Sequence, residues 1–448
     1  MSPEAREAVK PEFALTPDWW RPRAKAPVPA SPNPALAIVA DSSASPLAYA
    51  ALVAFTCVLL LAPQNFFPVL GTLRIALLAG AIAIVSHVRD RWAKGLPLTR
   101  PGREMTLAFW ILVWSLIGMP FSQWPGGSLA LLLDLFIKAL AVFWLVGNLV
   151  DTKSRLRGLA WTLTALTVAL ALAGISNYIS GVFGPTQDIR ILGYDGGLTR
   201  NPNDLALMIN LIIPMTVALL LSSSGLPARA VFVPALGVQV IAVVLTFSRA
   251  GFLTLATTLG IFGLRLVRRP SRGLVFAALA CALLSLPFIP EGYADRLLTM
   301  GAVDADPTGS AQARWNGTVA ALEHAVEHPL MGAGLGMNIL VLNESLGATW
   351  RSVHNTYLEY AVDLGMPGLI LFVLLLRSCW RSVRAAGRTA DPEVAQLAEG
   401  IEISLLAFAV AAFFHPAAYE FYFYFVAGLA VAAKVVSGRD VADVPVAA

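Results

Sequence analysis

The chain has 448 residues, of which 57% are apolar and 13% charged, with a mean hydropathy of +0.69 and a formal net charge of +4. A soluble domain carries about 25% charged residues, and a soluble core of this size would leave far too much apolar surface uncovered. An ordinary globular enzyme, a disordered chain and a disulfide scaffold are therefore excluded, and the composition is that of an all-α polytopic membrane protein.

Residues 1–45 are rich in Pro, Ala and charge, hold no apolar run near 20 residues and lack a signal-peptide pattern, so a flexible cytoplasmic tail is expected. Twelve apolar runs long enough to cross about 30 Å of hydrocarbon follow. They are 46–63, 69–87, 105–122, 128–149, 157–178, 203–222, 230–247, 250–266, 273–289, 354–376, 397–414 and 419–436. Residues 46–289 thus hold transmembrane helices one to nine, with an outer segment at 179–202. Residues 290–353 form a large helical periplasmic loop, too long for a turn; 354–436 hold helices ten to twelve, and 437–448 form a cytoplasmic tail. Within the loop, Gln312–His328 reads as an amphipathic helix, because Trp315, Val319, Leu322 and Val326 recur at spacings of three and four. Gly332-Ala-Gly-Leu-Gly336 follows no strand and reads as a turn leading out of that helix.

With the N-terminus placed in the cytoplasm, 24 of the 32 Lys and Arg fall on the inner side. The outer side receives seven, all Arg: Arg74, Arg190, Arg200, Arg249, Arg296, Arg314 and Arg351. This asymmetry predicts both termini inside and assigns the net charge to topology, not to nucleic acid. Lys138 lies within a span, one helical turn from Asp134; the two read as a buried ion pair inside the bundle, with a proton or substrate relay as the alternative. Cys57, Cys281 and Cys379 have neither metal spacing nor a near neighbour in sequence, so no disulfide and no metal is expected of them.

Arginine presents a planar fork that binds phosphate oxygens bidentately, although any single outer Arg can also be a structural partner at a helix end. Arg200 precedes an apolar helix that Asn201 can cap and Pro202 can start, and a helix N-terminus there favours an anion. Arg249 sits between two apolar runs with almost no loop, at the outer boundary, where an ionisable group is a functional candidate. Arg314 opens the amphipathic stretch. His324 and His328 have metal-compatible spacing but lie mostly on the polar face with no third ligand evident, and His415 before Pro416 reads as structural. His354 opens the tenth span at the mouth of the bundle, where an imidazole can take a proton from a hydroxyl or simply anchor the helix.

His354-Asn355, followed after nine residues by Gly365-Met-Pro-Gly368, resembles the signature of the O-antigen ligase family. Arg200-Asn-Pro-Asn203, Ser248-Arg-Ala-Gly251, Arg314-Trp315 and His328-Pro-Leu-Met-Gly-Ala-Gly334 agree with that family in order and sidedness. The resemblance covers roughly 185–375, and the layout of about twelve spans fits the ligases throughout. It implies a C-type glycosyltransferase-like architecture and a metal-independent, cofactor-free, inverting transfer. The donor would be a glycan on polyprenyl (undecaprenyl) diphosphate and the acceptor a hydroxyl of the lipid A-core oligosaccharide, at the periplasmic face of a bacterial inner membrane. Partners are then the lipid-linked donor, the lipid A-core acceptor and membrane lipids, with no nucleic acid.

By the same resemblance His354, Arg314 and Arg200 are the catalytic residues. Arg249, Asn201, Asn355 and Arg190 bind the diphosphate or lie near it. An O-antigen polymerase or a protein O-glycosyltransferase would use the same donor. A transporter or lipid flippase is the alternative of another class, since many twelve-span proteins are transporters.

Overall fold

The computed structural model describes residues 44–182, 191, 199, 201–223, 225–267, 310–347 and 350–442. Among them the regular structure is helical, without strands. We label the principal helices α1 (Pro46–Leu61), α2 (Ile75–Ala93), α3 (Arg103–Gly118), α4 (Pro125–Leu149), α5 (Lys153–Ile179), α6 (Pro202–Ser222) and α7 (Leu226–Leu245). They continue with α8 (Arg249–Val267), α9 (Ser310–Glu327), α10 (Asn338–Leu346), α11 (Thr356–Ala386), α12 (Pro392–Ala411) and α13 (Phe421–Ala442). Eight are long and apolar enough to cross a membrane, namely α3 to α7 and α11 to α13, and they coincide with eight of the twelve expected runs. Of the others, α1 is a shorter apolar helix, α2 and α8 are helical, and 273–289 lies outside the described residues. The chain is a multi-pass membrane protein.

Local sequence explains where the spans begin. Side chains of Thr152, Asn201, Asn355 and Asp391 cap α5, α6, α11 and α12, and Pro202 and Pro392 occupy the first turn, where a missing N–H is harmless. At one end of the bundle, the end expected to be cytoplasmic, cations are held by carboxylates. Asp151 receives Arg100 and Arg155 at 2.8 Å each, Lys153 meets Asp391 and Glu393, and Arg265 meets Glu399 and Glu402. Asp134 and Lys138 correct the expectation of a buried pair. They stand 4.0 Å apart with side chains 84% and 51% exposed. The buried positions of this helix are Leu132, Phe136, Ala139 and Phe143, which turn Asp134 and Lys138 outward.

The amphipathic helix of the loop is α9, but its large apolar residues are not its packing face. Trp315, Val319, Leu322 and Val326 are exposed. Ala320, Ala321 and Ala325 pack instead against Ala361 and Val362 of α11 and Val341 and Leu342 of α10, where small residues let the helices approach.

After α9, the chain from Pro329 to Met337 inserts between α11 and the α3–α4 connection. Gln123 N–H donates to Ala333 O (2.8 Å) and Ser128 Oγ to Leu335 O (3.0 Å). The socket for this segment is a break in α11. Gly365 has φ 68° and ψ −174°, and Pro367 lacks an N–H, so Val362 O and Asp363 O lose their helical donors. Ala333 N–H (2.7 Å) and Gly334 N–H (2.9 Å) take their place. The glycines are required by contact. A Cβ on Gly332 would meet Val362 O at 2.4 Å, and one on Gly365 would meet Leu330 O at 2.2 Å. Gly332–Gly336 is thus the turn expected after the amphipathic helix, and it is also a close-fitting insertion.

Candidate functional site

His354 lies in the short segment that leads into α11, between Val353, which is buried in the loop's own core, and Asn355, which caps the helix. Its Nδ1 is 2.9 Å from Ser352 O. A carbonyl can only accept, so Nδ1 carries a proton, and in the neutral ring Nε2 keeps its lone pair. Burial pushes the imidazole below its ordinary pKa, and Arg314, His415 and Arg351 push the same way electrostatically, against the hydrogen bond donated to Ser352 O. His354 is therefore neutral at physiological pH, the form a general base needs.

A cavity of about 550 Å³ is lined by His354, Arg314, Arg351, Ser352, Asn316 and Leu342, among others. Arg314 reaches it from the first turns of α9, Arg351 from the segment before His354. The site thus joins two guanidinium groups and a neutral imidazole whose positions depend on how α9 docks onto α11. Among the described residues, no three His, Cys, Asp or Glu side chains are grouped to hold a metal ion. His324 and His328 stack on each other, with ring centroids 4.3 Å apart.

The two motifs around Arg200 and Arg249 also meet. Ser248 Oγ donates to Asn203 Oδ1 at 2.8 Å and accepts from Gly251 N–H at 3.1 Å, while Asn210 Nδ2 donates to Gly251 O at 3.0 Å. A Cβ on Gly251 would stand 2.6 Å from that of Ala206, so glycine sets the close approach of α8 to α6. Arg249 begins α8 at this junction. Asn201 caps α6 by accepting from Asn203 N–H and Asp204 N–H and donates to the Asp204 carboxylate. Asn355 likewise spends its side-chain oxygen on Tyr357 N–H and Leu358 N–H. Arg200 and Arg190 lie outside the described residues.

Sequence reading missed what ties the two halves together. Asp204 Oδ1 accepts from His415 Nε2 at 2.8 Å, and His415 O accepts from Thr356 Oγ1 at 2.8 Å. The start of α6 is thereby fastened to the start of α11, next to His354. Glu420, half-buried near Asp204, has its pKa pushed up to about 7 by desolvation and by the Asp204 charge. By sequence Arg351 is one expected outer cation among seven, and nothing local marks that it shares the cavity with His354. The partners of Asp204 and Glu420 come from distant parts of the chain, so no spacing pattern exposed them.

Residues 234–373 match the family model for O-antigen ligase, which bears out the resemblance carried by the motifs and supports a membrane glycosyltransferase of the O-antigen ligase and polymerase type. No curated protein matches the sequence. Among solved structures, a chain from "Structural coordination of polymerization and crosslinking by a peptidoglycan synthase complex" aligns with a TM-score of 0.42 and 18% identity. That alignment covers 75% of this chain and 97% of the other.

Proposed function

We propose that the protein, whose residues 234–373 match the O-antigen ligase family, transfers a glycan from a polyprenyl diphosphate donor to a hydroxyl of a lipid A-core acceptor. The reaction takes place on the periplasmic side of a bacterial inner membrane, with both termini cytoplasmic. The single observation that carries this reading is the cavity in which Arg314 and a neutral, tautomer-fixed His354 stand together.

The acceptor hydroxyl gives its proton to His354 Nε2 as its oxygen bonds to the anomeric carbon. The bond from that carbon to the diphosphate oxygen breaks, and polyprenyl diphosphate leaves. Direct displacement inverts the configuration. Negative charge grows on the leaving oxygens, and arginine donors already aimed at them stabilise it without reorganisation. Arg314 and Arg200 take this role. Arg249, Arg190, Asn201 and Asn355 complete the donor-binding surface, the two Asn chiefly by shaping the helix starts that flank the site.

The test is to incubate the purified protein in nanodiscs with polyprenyl-diphosphate glycan and lipid A core. A conjugate and released polyprenyl diphosphate are expected, both lost in His354→Ala. Glycan joined to a second lipid-linked glycan would reassign the protein as a polymerase. Movement of the lipid across vesicles with no covalent product would replace the enzyme reading with a flippase.

A further inference from the structure

The imidazole of His354 is the visible end of a longer hydrogen-bonded chain. Its Nδ1–H donates to Ser352 O at 2.9 Å. That carbonyl belongs to the same peptide group as Val353 N–H, which donates to Asn338 Oδ1 at 2.9 Å. The amide of Asn338 then donates through Nδ2 to both oxygens of Asp363, at 3.2 and 3.0 Å. Every link runs in one direction, from imidazole through two amide groups to a carboxylate.

Asp363 is fully buried and is held on other sides by donors as well. Asn338 N–H reaches it at 2.6 Å and Tyr419 OH at 3.0 Å. All of these groups donate, which is the arrangement that suits an ionised carboxylate. Asn338, too, is buried.

We propose that Asp363 and Asn338 are positioning residues that orient His354 and stabilise its protonated form through the Ser352–Val353 peptide. Aligned hydrogen bonds polarise one another in a low-dielectric site. A carboxylate at the far end makes each carbonyl along the chain a better acceptor, and so favours the imidazolium that forms as the acceptor hydroxyl loses its proton. Among the described residues, the charged and titratable groups facing His354 from other elements act the other way. These are Arg314 on α9, Arg351 in the approach to α11 and His415 between α12 and α13. The relay supplies a negative end that opposes their effect on His354. The same relay explains why the loop must dock before the base is set. Asn338 begins α10 in the loop, while Asp363 is on α11, two residues before the break at Gly365.

This inference rests on the reading of His354 as the base, so its test reads the imidazole directly as well as turnover. Full-length protein in nanodiscs is treated with diethyl pyrocarbonate over a series of pH values. Modification of His354, which requires the neutral ring, is followed by mass spectrometry. Asp363→Asn and Asn338→Ala are each expected to move the midpoint for His354 to lower pH by about half a unit or more. The acid limb of the pH–rate profile should move with it while the plateau rate falls. Tyr419→Phe removes a donor to Asp363 but leaves the relay whole, and its midpoint should not fall. An unmoved midpoint in folded Asp363→Asn, or in Asn338→Ala where the former does not fold, overturns the proposal, even if activity is lost. A shifted midpoint in a protein that transfers no glycan would retain the relay and overturn the functional reading instead.

Discussion

Met366 N–H donates to Pro329 O at 2.8 Å, which locks the segment after α9 to the break in α11. Two glycine-rich stretches that lie some thirty residues apart in sequence are thus one structural unit. The unit sets the height of α9 against α11, and with it the spacing of Arg314 and His354.

The unit depends on glycine for two separable reasons, left-handed backbone and contact. Gly365→Ala combines φ 68° with a Cβ 2.2 Å from Leu330 O, and a loss of about 2 kcal/mol or more is expected. Gly332→Ala should behave similarly, since its Cβ would meet Val362 O. Gly347→Ala has φ +81° but open space around it, so only the backbone penalty of about 1 kcal/mol applies. Thermal unfolding in detergent should show larger losses for Gly365→Ala and Gly332→Ala than for Gly347→Ala, and equal shifts in all three would argue against the interlock.

His354→Ala should slow transfer by about 10²- to 10⁴-fold while leaving the affinity for donor nearly intact. In the wild type, the imidazole pKa lies below its ordinary 6.5. The base is active when neutral, so the rate should rise with pH through a midpoint below 6.5 and stay flat through neutrality. Initial rates across that range check the sign. A rate that falls with rising pH would mean that His354 acts as an acid.

Arg314→Ala removes a donor that bears on the leaving diphosphate, and about a 10²- to 10³-fold loss in kcat is expected by analogy with other preorganised anion sites. Arg314→Lys should recover only part of it, because an ammonium cannot reproduce the fork. Arg200→Ala should weaken donor binding as well. Donor affinity measured by competition with polyprenyl diphosphate separates these effects, and unchanged affinity in both alanine variants would remove the diphosphate role.

The Asp204–His415 contact at 2.8 Å predicts a loss of rate without a loss of either catalytic group. In His415→Ala, the start of α11 loses its tie to α6, and small misplacements of reacting groups cost up to about 10²-fold. The check is kcat/KM in nanodiscs alongside thermal stability. A variant that melts normally and turns over at the wild-type rate would show that the tie is not needed.

Glu420 gives a pH signature in stability. Its folded pKa of about 7 exceeds the 4.5 of an ordinary glutamate, so the folded state holds the proton more tightly. Its contribution to stability is complete below pH 4.5, falls as pH rises and is gone once pH passes through 7. Glu420→Gln cannot ionise, and it should gain melting temperature relative to wild type as pH increases. A constant difference across pH would contradict this.

Helical spans, caps and turns are local properties, and most were legible in the chain. Runs of apolar residues must become helices in lipid, and Asn201, Asn355 and Asp391 announce helix starts by side-chain chemistry alone. The sequence also marked His354 and the outer arginines, because charge is scarce in such a chain and its position is therefore informative. It misread Asp134 and Lys138, since spacing shows that two residues share a helix face but not whether that face turns inward. It could not show that Ala320, Ala321 and Ala325, not the larger residues of α9, make the contact, because packing rewards close approach as well as apolar area. The fit of Gly332 against Val362, the tie from Asp204 to His415 and the line from Asp363 to His354 join residues far apart in sequence. Their partners become neighbours only when the helices assemble, and only the tertiary structure decides them.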